Sequence, residues 1–205
     1  MRRRDLIVGA AVMMTTAATG ANAAGVRDGE PFMNDDQFWA IVDRTALHQA
    51  DTRVQTEALR QALEALTADE VVAFTNTMQR HLARAYRWDL WAVGYIIEGG
   101  MSDDGFEYFR RWLLSKGRTL FERILAHPDD LADLLADGTE GHLDYEAFAA
   151  VSWDVWGEKT GSSPDEIPLY LDLMTDGKDP TGEPFQEDPA WLAANFPRTW
   201  ARFGG

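Results

Sequence analysis

Between Leu90 and Ile97 the chain reads Leu-Trp-Ala-Val-Gly-Tyr-Ile-Ile, without one charged side chain. A helix that is apolar on every side has no face to give to water and must be packed all round. This segment predicts a central helix with the rest of an all-α domain wrapped about it. Its ends are marked as clearly as its body. Gly99-Gly100 follows, and a glycine just past the last apolar residue predicts a left-handed C-cap. Ser102-Asp103-Asp104 comes next, a capping hydroxyl and two carboxylates suited to the positive end of a further helix. That helix carries Phe106, Phe109, Trp112 and Leu113 and stops at Gly117.

The flanks are also helical by period. Asn34 can cap a first helix, with Gln37 completing a capping box and Met33 stapled onto Phe38. Its apolar face is Phe38, Ile41, Val42 and Thr45. A second helix starts near Asp51 and carries Leu59, Ala62, Leu63 and Leu66. Thr67 and Glu70 form another capping box ahead of a third stripe of Val71, Thr75, Met78, Leu82 and Ala85. Beyond Gly117, two short helices are expected around 120–126 and 128–136. Asp144 is the expected cap of a helix holding Tyr145, Phe148, Ala149 and Trp156.

After Gly161 the helical period disappears, and Pro164, Pro168, Pro180, Pro184 and Pro189 punctuate the rest. That tail still carries Leu169, Phe185, Trp191, Phe196 and Trp200, more large apolar groups than a solvated linker holds. It predicts an irregular, Pro-rich C-terminal clasp laid over the helical body, with a short helix after Asp188-Pro189. The one alternating stretch, Leu169-Leu171-Leu173, is too short to found a sheet.

The first residues have a separate character. Arg2–Arg4, the apolar run 6–14 and Ala21-Asn22-Ala23 follow the order of a signal peptide over 1–23. Arg3-Arg4 also resembles a twin-arginine signal. Residues 24–32, with Gly25, Gly29 and Pro31, read as a linker to a single domain over 33–202. The expectation is an exported protein with no membrane anchor once 1–23 is removed. The alternative is translation from Met33, which would leave the protein in the cytoplasm.

The run from Arg87 to Gly117, with its flanks, resembles the family known as domain of unknown function 4240 (DUF4240). The endings Gly182-Glu183-Pro184-Phe185 and Phe196-Pro197-Arg198-Thr199-Trp200 fit the same resemblance. It spans about residues 33–202 and implies one helical domain closed by its tail. It implies no activity.

Charge and composition narrow the function classes. Hydrophobic residues are 45 % of the chain, enough for a real core. Lys and Arg total 19 against 34 Asp and Glu, a net charge of −15 that repels nucleic acid and suits a basic protein partner. The chain has no Cys, which excludes thiol catalysis, iron–sulfur clusters and Cys-based zinc sites. His48, His81, His127 and His142 form no metal-binding spacing, and each is expected to be solvated or capping. Asp172 to Glu183 imitates a calcium loop, but Met174 and Pro180 spoil it. There is no phosphate loop or dinucleotide fingerprint, so no cofactor or metal is expected.

The candidate site gathers at the central helix. Trp88, Trp91 and Tyr95 fall on one face, which would meet Phe106 and Phe109 on the helix that follows. Glu98, Ser102, Asp103 and Asp104 cluster at the turn between the two helices. Asp89 needs a cationic partner from among Arg87, Arg110 and Arg111. Two functions follow from this constellation. The first is an acidic binding module, inhibitor- or immunity-like, for a basic protein. The second is a hydrolase-type enzyme using Glu98, Asp103 and Asp104 at an aromatic-walled cleft.

Overall fold

The computed structural model describes residues 32–136, 143–170, 175 and 177–205. The signal-like segment 1–23, most of the linker, Leu171 and Leu173, and Asp172 and Asp176 of the calcium-like loop lie outside them. Ten α-helices occur among the described residues: α1 Asp35–Ala46, α2 Thr52–Glu64, α3 Ala68–Arg84, α4 Trp88–Glu98, α5 Asp103–Ser115, α6 Arg118–Ala126, α7 Leu131–Leu134, α8 Ala147–Thr160, α9 Pro189–Asn195 and α10 Pro197–Phe203. Single 3-10 turns stand at Pro128–Asp130 and Pro164–Glu166. No described helix is long and apolar enough to cross a membrane.

The caps are largely those that the residue pattern predicts. Asn34 accepts from the Asp36 N–H at 2.9 Å and Ser102 from the Gly105 N–H at 3.2 Å. Thr67 and Glu70 close a reciprocal capping box, and Gly99 ends α4 at φ 67°. Asp144 does not cap α8. Residues 143–145 run on without helical turns, α8 begins only at Ala147, and no side chain caps it. Tyr145 fixes this stretch instead, donating its hydroxyl to the Thr52 carbonyl at 2.7 Å.

Phe38, Phe74, Phe106, Phe109, Phe121 and Phe148 are wholly buried and tie α1, α3, α5, α6 and α8 into one core. On α4, Leu90, Ala92 and Val93 are sealed, and Ile96 and Ile97 nearly so. A Cβ on Gly94 would lie 2.7 Å from Met101 Cε, so the turn after α4 folds back tightly against it. The expectation of all-round burial fails on one face. Trp88, Trp91 and Tyr95 are only half-buried: Trp91 meets Phe106 of α5, but Trp88 and Tyr95 have the tail residue Phe185 as their ring neighbour and not another helix.

The tail does lie across the body. Thr181 accepts from the Trp88 N–H at 3.0 Å and donates its own N–H to the Tyr86 carbonyl at 2.9 Å. The first bond satisfies an N–H that the first turn of α4 leaves without an intrahelical acceptor. Further along, Asp129 accepts from the Arg198 and Thr199 N–H groups at 3.0 and 2.9 Å, capping α10 from a distant part of the chain.

Candidate functional site

A cleft of about 560 Å³ opens where the start of α4, the first half of α5 and the tail residues Thr175 and Gly177 to Pro180 meet. Its aromatic wall is laid down by helix period. Trp88 and Trp91 are three residues apart on α4, and their rings stack with centroids 5.3 Å apart and planes 9° apart. Phe106 of α5 continues the stack on Trp91 at 4.8 Å and 13°. The Trp91 indole N–H donates to the Met101 carbonyl at 3.1 Å, which fixes the ring.

Arg110 closes the inner end. It is 5 % exposed, and its guanidinium lies 4.7 Å from the Tyr86 ring centroid and 5.2 Å from that of Phe106. One of its N–H groups reaches the Leu82 carbonyl at 3.0 Å. The Tyr86 hydroxyl in turn donates to the Lys178 carbonyl at 3.1 Å, so one tyrosine holds both Arg110 and the tail.

The outer rim is acidic. Asp103, Asp104 and Glu107 stand on one side and Asp179 on the other, with Lys178 beside it. Glu107 is engaged by Arg111 one turn along α5. Asp103, Asp104 and Asp179 enter no ion pair among the described residues. Four carboxylates against two cationic side chains round an aromatic-walled cleft favour a cation there.

The structure thus brings Trp88, Trp91, Asp103, Asp104 and Arg110 to one cleft and places the other candidates elsewhere. Asp89 pairs with Arg87, whose Nε donates to Asp89 Oδ1 at 3.0 Å, and both line a separate cavity of about 380 Å³ under the tail. Tyr95 donates to Glu187 at 3.0 Å, and this bond raises the phenol above its usual pKa. Glu98 accepts from the Leu143 N–H at 3.1 Å and shares a third pocket, of about 260 Å³, with Ser102. Among the described residues, no three His, Cys, Asp or Glu side chains are placed to share a metal ion.

Several participants have no counterpart in the pattern reading. Glu107 follows Asp103 by four residues, so its place on the same face was open to inspection. Tyr86 precedes the apolar helix, and Lys178 and Asp179 arrive through tertiary contact, with no local signal to find them. His81 is the other omission. It is 1 % exposed, enclosed by Phe38, Trp39 and Phe121 at ring-centroid distances of 5.1, 4.8 and 6.0 Å. The expectation of a solvated or capping role does not hold for it. Its position on the buried stripe of α3, three residues after Met78, was the available signal.

No curated protein and no solved structure matches the chain. The family described as "Protein of unknown function (DUF4240)" matches residues 33–158, more than half of its length. That match carries the α4 and α5 walls of the cleft, while the tail wall lies after its end.

Proposed function

The chain belongs to the DUF4240 family, and from that premise we propose that it is a binding module that receives a basic protein partner at the Trp88–Trp91 cleft. The observation that carries this reading is the pairing of an aromatic wall with carboxylates that enter no ion pair among the described residues. Asp103, Asp104 and Asp179 face the same space as two stacked indoles. A cation entering there gains Coulomb attraction from the rim and quadrupole attraction from the rings. The net charge of −15 adds long-range steering of a basic partner towards the cleft.

A hydrolytic reading is weaker in geometry. It would have to run on Asp103 and Asp104, because Glu98 opens on another pocket and spends one oxygen on Leu143.

The test is a titration with a short basic peptide, followed by the fluorescence of the cleft tryptophans. Binding should weaken at least tenfold between about 0.02 and about 0.5 M salt, because the rim is exposed and screened. Replacing Asp103→Asn and Asp104→Asn together should cost at least about fivefold at low salt. Equal affinity of the neutralised variant, or affinity indifferent to salt, would remove the cleft from the account.

A further inference from the structure

Resting on the binding reading above, we infer that the group this cleft recognises is a guanidinium, an arginine side chain presented on a peptide segment of the partner, and not an ammonium. The wall geometry favours a flat cation. Two near-parallel rings with centroids 5.3 Å apart are slid across one another, since full overlap would bring them to a contact distance of about 3.5–4 Å. Part of the Trp88 and Trp91 faces therefore stays uncovered in the cleft that Asp103 and Asp104 also line. A planar, weakly hydrated guanidinium can lie on such a face and still direct N–H groups sideways to Asp103 and Asp104. A compact ammonium satisfies the carboxylates as a point charge but uses the ring face less well.

The protein already holds one guanidinium in this way. Arg110 is laid against Tyr86 and Phe106 at the inner end of the same ring series, with a carbonyl as its lateral acceptor. The outer end offers the same kinds of group: Trp88 and Trp91 supply the rings, and Asp103 and Asp104, which enter no ion pair among the described residues, supply the lateral acceptors, with Lys178 on the tail side of the cleft. The Trp88 indole N–H has no acceptor among the described residues. It is available to a backbone carbonyl, which a peptide supplies and a lone cation does not. A space of about 560 Å³ accommodates one long side chain together with the backbone that carries it.

The experiment compares three capped peptides, identical except for a central arginine, lysine or citrulline, titrated into the full chain at low salt. Citrulline keeps the flat shape and loses the charge. The inference requires arginine to bind at least about fivefold tighter than lysine and about tenfold tighter than citrulline. Trp88→Leu, with helicity checked by circular dichroism, should bring arginine down to the lysine level. Equal binding of arginine and lysine would overturn the guanidinium assignment while leaving the basic-partner reading intact. Equal binding of arginine and citrulline would overturn it as well, leaving a site for flat polar groups. Binding of none of the three would sink the binding reading itself, and the inference with it.

Discussion

At the scale of one residue, His81 has the clearest consequence. Arg84 directs an N–H at Nδ1 from 3.0 Å, which makes Nδ1 the acceptor and leaves the proton on Nε2. Nε2 lies 3.4 Å from Asp35 Oδ1, within reach of an ion pair but outside hydrogen-bonding geometry. Burial is the main force on this ring. It lowers the pKa from 6.5 to about 4, helped by Arg84 and Arg80 and opposed by Asp35 and Glu122. The unfolded chain therefore binds a proton between those two values and the folded chain does not. Stability should fall as pH drops through 6.5, by up to about 3 kcal/mol when the lower value is passed. Urea midpoints at pH 7 and pH 5 measure the upper part of that slope. A His81→Phe variant should flatten it, whatever the variant does to stability at pH 7. An unchanged slope would mean that the ring takes up its proton without unfolding.

Among elements, two helices are started by carboxylates that the local sequence does not supply. Asp43 of α1 accepts from the Arg118 N–H at 2.7 Å and opens α6, next to Gly117 at φ 94°. A Cβ on Gly117 would stand 2.7 Å from Asp43 Oδ1. Gly117→Ala therefore meets an unfavourable backbone region and a displaced cap together, and should cost about 2 kcal/mol by denaturant titration. Asp129 does the same for α10, and also takes the Thr199 hydroxyl at 2.8 Å. Asp129→Ala should speed hydrogen exchange in 197–203 while the core helices keep their protection, at a cost of about 1–2 kcal/mol. These long-range caps explain which elements were legible in advance. The helices with caps in their own sequence, α3 at Thr67 and α5 at Ser102, were placed correctly from residue pattern. So was α9, behind Asp188-Pro189. α10 was missed because its cap comes from another part of the chain, and Asp144 misled because a capping residue type says nothing when the chain after it is not yet helical. The candidate site divides in the same way: α4 and α5 put Trp88, Trp91, Asp103 and Asp104 within reading distance, and tertiary folding alone added Tyr86, Lys178 and Asp179.

For the whole molecule, the net charge of −15 acts on folding and on binding with opposite sign. Added salt screens the repulsion among the surplus carboxylates and should raise the melting temperature by a few degrees, about 1 kcal/mol, between about 0.02 and about 0.5 M. Over the same range it should weaken the arginine peptide. A protein that tightens its own fold as it loosens its guest separates the two contributions in one salt series, read by calorimetry and by titration.

One feature of the tail reaches further than its size. The third wall of the cleft is hung on Thr181, Tyr86 and Trp88 through a short length of main-chain pairing. Main-chain pairing does not depend on which side chains follow, and the wall comes after the residues that the family model matches. The helical body, with α9 and α10 packed into it, then behaves as a socket, and the short piece from Gly177 to Thr181 as its jaw. Exchanging Lys178 or Asp179 would then alter what stands opposite the two indoles, with no change to the core that supports them.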